Sequence, residues 1–174
     1  MILEDLGSLV IRVALGWLFV TGAWASGKDK AARDFTTSET ALVFKWRPEI
    51  FACLGILMLA LSGLSVLFGV FPRLGALVMT VFLIPAAMIH FAKRGQAEAF
   101  KDQIAPVLSR ESHAEAKSAL EALTANAVFG HFTAGLKTLC LLGPSLYLVL
   151  AGAREPMLIG LGADGHWHGL LTRL

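Results

Sequence analysis

Four apolar stretches constrain this chain more than any motif does. Residues 9–25, 50–71, 74–92 and 128–152 are each close to the roughly 20 apolar residues that a helix needs to cross hydrocarbon. Inside a bilayer the backbone must satisfy its own hydrogen bonds, so each stretch is expected to be helical. Composition agrees with this. Charged residues make up 16% of the chain and hydrophobic ones 56%, whereas a soluble domain carries about 25% charge. The reading is therefore an all-α, integral membrane four-helix bundle forming a single domain over residues 1–174. No repeat or linker divides it. The first partner is the lipid bilayer. A net charge of +2, spread along the chain, excludes a nucleic-acid surface.

Details along the chain refine that picture. In the first span, Val13 to Gly22 could pass for the apolar region of a signal peptide, with Ala23-Trp24-Ala25 as a cleavage site. Glu4 and Asp5 spoil the basic segment that should precede it, so the span is expected to be retained. Residues 26–49 read as a polar loop. Trp46 before Pro48 looks like an interfacial anchor, and Pro48 suits the first turn of the next helix. Glu49 either complements that helix's positive end or serves as a proton or counter-ion site. Pro72 and Arg73 leave only a very short turn, so the second and third spans must form an antiparallel hairpin. Pro85 is expected to bend the third span, and Gly143-Pro144 the fourth. Residues 95–126 read as a second long loop. There Ser112-His113-Ala114-Glu115 has the form of a capping box, and Ala116, Leu120 and Leu123 follow on one helical face. This predicts an amphipathic helix in the loop between the third and fourth spans, lying on the membrane or capping the bundle.

Charge sets an expected orientation. Lys28, Lys30, Arg33, Lys45, Arg47, Lys93, Arg94, Lys101, Arg110 and Lys117 fall in the two long loops, against Arg73, Arg154 and Arg173 on the other side. The positive-inside rule puts the long loops in the cytoplasm and both termini outside.

The polar residues within the spans are the candidate functional groups, because a charge in hydrocarbon costs about 2.5–3.5 kcal/mol on insertion scales and is kept for a partner or a task. His90 and His131 fall at similar depth on consecutive antiparallel spans, on the side of Glu49 and Trp46. Lys137 lies roughly 9 Å deeper, by helical rise. These five could bind and protonate a quinone, which needs an apolar slot and proton donors. The alternatives are a polar seam that only fixes helix register, or two histidines that ligate haem iron or another metal. The cofactor stays open, with quinone the candidate, and no metal is assigned. Arg12, Arg73 and Arg154 are read as contacts to lipid or an anion, although Arg12 could instead pair inside the bundle. Cys53 and Cys140 form no CxxC and read as buried small apolar residues. The G-x-G-x-x-G letters at 160–165 lack a strand-turn-helix setting and mark no dinucleotide site. His166-Trp167-His168 is too little for a metal site.

A set of short motifs adds a resemblance. Arg12, Leu15-Gly16, Gly22 and Lys28 are followed by Glu49, Gly55, Gly63 and Gly69-Val70-Phe71-Pro72-Arg73. His90-Phe91, Gly135-Leu136-Lys137 and Leu142-Gly143 complete the set. Together they resemble the DoxX family of small four-span membrane proteins. The resemblance implies a four-helix bundle in the bacterial inner membrane. It also implies work beside a redox partner, since the family name comes from a subunit of a thiosulfate:quinone oxidoreductase. Some members are linked with oxidative-stress partners, and distant relatives act as cargo receptors. Thr138 stands where members often carry Asn, and residues 95–126 are longer than compact members need. The functional expectation is a quinone-interacting subunit associated with a redox partner, an oxidoreductase subunit if it is an enzyme. The alternative is a non-catalytic assembly or structural subunit, held to a protein partner or a second copy.

Overall fold

The structure is a computed structural model that describes residues 2–108 and 114–151. Arg154 and the tail motifs at 160–168 lie outside the described residues. Every regular element among the described residues is helical: α1 (Ile2–Gly27), α2 (Lys30–Thr40), α3 (Pro48–Phe68), α4 (Pro72–Ile104), α5 (Ala114–Cys140) and α6 (Leu142–Ala151). Among the described residues, four helical stretches are long and apolar enough to cross a membrane, with α5 and α6 supplying the last between them. The expected fold class is what the chain adopts.

The loops depart from expectation. Residues 26–49 are not a simple loop, because α2 forms within them. The Asp29 side chain caps α2 by accepting from the Ala32 N–H at 2.8 Å. No glycine or proline interrupts residues 30–47, and tertiary contact with α1, α3 and α4 holds the helix. The second loop also shrinks from both sides. With 33 residues, α4 is about 50 Å long, so it runs well past a hydrocarbon layer of about 30 Å. No separate amphipathic helix stands in this loop among the described residues, because α5 starts at Ala114 and continues unbroken into the fourth span. Ala, Leu, Glu and Lys fill its first turns, and nothing there stops propagation.

The α3–α4 hairpin is tight. α3 ends at Gly69, whose φ of +72° is the left-handed conformation that glycine adopts freely. The Val70 N–H then reaches back to the Ser65 carbonyl at 3.0 Å. Ser65 Oγ lies 2.6 Å from the Val70 carbonyl and 3.0 Å from that of Phe71. The turn thus occupies residues 69–71, and Pro72 opens α4 as the fitting first residue of a helix. Pro48 does the same for α3. At the other break, Leu141 separates α5 from α6, with Pro144 in the first turn of α6. α4, by contrast, passes through Pro85 without interruption.

Packing follows the order α1, α3, α4, then α5 and α6. α1 lies along α3, α3 along α4, and α4 along both α5 and α6. The buried core joins Leu15 and Phe19 of α1, Val66 of α3, Ala76, Met79 and Leu83 of α4, and Leu148 of α6. Two glycines set the first pair. A Cβ on Gly63 would stand 2.9 Å from the Val20 nitrogen and 3.1 Å from the Gly16 carbonyl oxygen. A Cβ on Gly16 would meet the Leu67 nitrogen at 2.9 Å and the Gly63 carbonyl at 3.0 Å. The two backbones touch where neither has a side chain, which is how helices attract in lipid. The cysteine expectation is corrected. Cys53 and Cys140 are free and exposed, because in a bilayer the apolar faces of spans turn outward as well as inward.

Replacing Gly63 with Ala should force α1 and α3 apart, at a cost of about 1–3 kcal/mol. Gly95, with no atom within 4 Å of its would-be Cβ, is the control. There Ala should be neutral or stabilise by up to about 1 kcal/mol. Reversible unfolding in mixed detergent micelles reads both.

Candidate functional site

His90 and His131 do meet. His90 lies 18 residues after Pro72 on α4, about 27 Å along the helix from the hairpin. That is near the far boundary of the hydrocarbon. His131 on α5 faces it with ring centroids 6.3 Å apart and planes 29° from parallel. Sequence spacing explains the pairing. Thr124, His131 and Gly135 recur at seven and four residues on the α5 face that packs against α4, and Thr124 and Gly135 are buried there. Gly135 admits the Phe91 ring of α4, which a Cβ would approach to 2.9 Å. Phe91 in turn lies 6.4 Å from Phe132. The His90 Nδ1 is buried and has no hydrogen-bond partner among the described residues.

The surroundings of this pair were only partly foreseen. Lys93, one turn beyond His90, forms an ion pair with Glu39 of α2. Its ammonium group also stands 5.1 Å from the centre of the Phe35 ring. Glu39, Lys93 and His131 are the titratable neighbours that act electrostatically on His90. Arg94 reaches Glu98 at 3.3 Å and lies over Phe132 at 5.5 Å. Glu39 escaped notice because α2 did. The signal was Asp29 as a cap ahead of eighteen residues without Gly or Pro, which would have turned Glu39 back toward the bundle.

The remaining expected residues scatter. Lys137 is exposed. Six residues rotate an α-helix through about 600°, so Lys137 points about 120° away from His131. It does not close a pocket with the histidines, and that expectation is corrected. Glu49 and Trp46 are exposed at the start of α3, with Trp46 at 76%. They form no contact with the histidine pair that would build a common site. Arg73 is half-buried at the hairpin.

Arg12 is corrected more firmly. It does not reach out to lipid, being 3% exposed. Its Nε donates to the Val66 carbonyl at 3.2 Å. The guanidinium lies against Gly69, where any Cβ would overlap it. This places a cation at the C-terminal end of α3, where the helix dipole is negative and the last carbonyls lack intrahelical donors. On the outer side of the same hairpin lies an apolar groove of about 630 Å³, lined by residues such as Leu57, Leu61, Phe68, Phe71 and Leu74. It is remote from the histidines. Among the described residues, no group of three or more His, Cys, Asp or Glu could hold a metal ion.

The DoxX family model matches residues 7–92, from the start of the first span to just past His90. Over this stretch the chain is similar to the DoxX family. The DoxX match takes in Arg12, the Gly16–Gly63 crossing, Gly69 and His90. It ends before α5, so His131 and Lys137 lie beyond it. No curated protein matches the chain, and no solved structure does.

Replacing Glu39 with Gln should free Lys93 and loosen α2 at a cost of about 1 kcal/mol or less. Hydrogen exchange should rise in residues 30–40 and stay unchanged in the α1–α3 crossing.

Proposed function

We propose that this DoxX-like protein is a membrane subunit that presents the His90–His131 pair to a quinone and draws electrons from a redox partner. The observation that carries this reading is the buried, unpartnered Nδ1 of His90 beside a second imidazole at the end of the apolar spans. A quinone carbonyl oxygen needs a hydrogen-bond donor or a proton at the point where it gains charge, and imidazole supplies either near neutral pH. Phe91 and Phe132 offer an apolar and aromatic wall beside the pair. Lys93 and Glu39 connect the site to the polar loops, from which protons would be replaced. Reduction to the quinol takes up two electrons from the partner and two protons through this end of the bundle. The long loops would then face the cytoplasm, in the inner membrane, as the charge distribution implies.

A second reading is an assembly subunit without chemistry of its own. It is favoured by the paired extensions of α4 and α5 beyond the apolar spans, which expose Phe100 and Leu123 at 56% and 69%. Apolar side chains held in an otherwise charged helical pair suit a protein partner.

Extraction into lipid nanodiscs followed by mass spectrometry of what remains bound separates the two. The first reading expects stoichiometric quinone, reduced at least tenfold in His90→Phe. Quinone that is absent, or unchanged by that substitution, removes it. A retained protein partner without quinone makes the second reading the correct one.

A further inference from the structure

The outward direction of Lys137 identifies a surface that the histidine site does not use. By helical rise Lys137 is about 9 Å nearer the hairpin than His131, which puts it close to the middle of the hydrocarbon. It is exposed there, and among the described residues it has no hydrogen bond or ion pair. A lysine stem is much shorter than the roughly 15 Å from the midplane to either headgroup layer, so snorkelling does not bring its ammonium group to water. The charge needs a partner at its own depth.

The described residues of this chain cannot supply that partner, nor can those of a second copy. Among them, no Asp or Glu lies inside an apolar span away from its ends. Glu49 opens α3, and Glu98 and Asp102 lie on the extension of α4 beyond the membrane. The flank around Lys137 is also open. Among the described residues, α5 touches only α4 and α6, and its span is 17% buried, against 33% for α1. Gly130 and Thr133 lie on the same outer face, at seven and four residues before Lys137. Asn126, exposed one turn before Gly130, continues that face toward the membrane boundary. A Cβ on Gly130 would meet nothing within 4 Å. A second backbone can therefore come as close to α5 at Gly130 as α3 comes to α1.

We propose that the outer face of α5 docks a transmembrane helix of a different protein that carries an Asp or Glu near the bilayer centre, paired with Lys137. This rests on the reading of the chain as a partner-bound subunit and specifies the recognition. The test uses the full chain in nanodiscs and a synthetic transmembrane peptide of Leu and Ala bearing one central Glu, with Gln and Leu versions as controls. Binding is read by energy transfer between labels. The Glu peptide should bind at least tenfold more tightly than the Gln and Leu peptides, and Lys137→Met should abolish the difference. Gly130→Ile should weaken binding of the Glu peptide. Equal binding of the three peptides overturns the proposal, and the peptide controls do not depend on how any variant folds. A protein partner that stays bound to the Lys137→Met chain in nanodiscs overturns this inference while leaving the partner reading intact.

Discussion

Burying leucine against leucine gains little when the solvent is itself hydrocarbon, so a helix pair in a bilayer must be held by close packing and by polar contacts. The crossing of Gly16 and Gly63 is where this chain meets that requirement. Each glycine's missing side chain is filled by the other helix's backbone. The contact is reciprocal, which makes it intolerant on both sides. One turn before Gly16, Arg12 continues the same interface by reaching the Val66 carbonyl. Packing brings the helices together, and the guanidinium then satisfies a carbonyl that the end of α3 leaves without a donor. Gly69 is required twice at this point, by its positive φ and by the space the guanidinium takes.

The two ends of the bundle are consequently different in kind. At the hairpin end a buried cation is spent on structure. Its neighbours are helix termini and tight turns, and α6 closes the core there with Leu148 and Ser145. At the other end the polar groups are half-buried and drawn from three helices: Glu39 from α2, His90 and Lys93 from α4, and His131 from α5. Groups so placed can exchange protons with the loops while remaining in reach of the hydrocarbon. That asymmetry, more than any single residue, separates the structural role of Arg12 from the role proposed for the histidines.

The spans, the hairpin, the helix-opening prolines and the shared depth of the two histidines were all legible in the sequence. Each follows from one-dimensional quantities: apolar length, loop length and rise per residue. What was not legible depends on rotation or on tertiary contact. Depth alone grouped Lys137 with His131 in one candidate site, but the helical period sends it to another face. Arg12 looked like a residue near a membrane boundary because hydropathy does not say which way a side chain turns. α2 was hidden by its charges, which mark a segment as outside the membrane without marking it as irregular. Polar composition was taken for absence of structure, and the same mistake shortened α4 and α5.

The packing order then explains why one flank of the molecule is left open. α1 is held by a glycine crossing, by α2 at one end and by contact with α6 at the other. α5 has α4 on one side and, apart from α6 at its end, nothing among the described residues on the other. A four-span chain whose last long helix stays outside the closed part has two interfaces to offer: the inner one that holds His131 against His90, and the outer one that carries Lys137. The inner face is packed against α4. The outer face combines Gly130 and Thr133, which permit close approach, with a mid-membrane cation that leaves open hydrocarbon unfavourable. On the proposed docking, another helix covers this face, and the same residue that makes the bare face unfavourable would also select the helix that covers it.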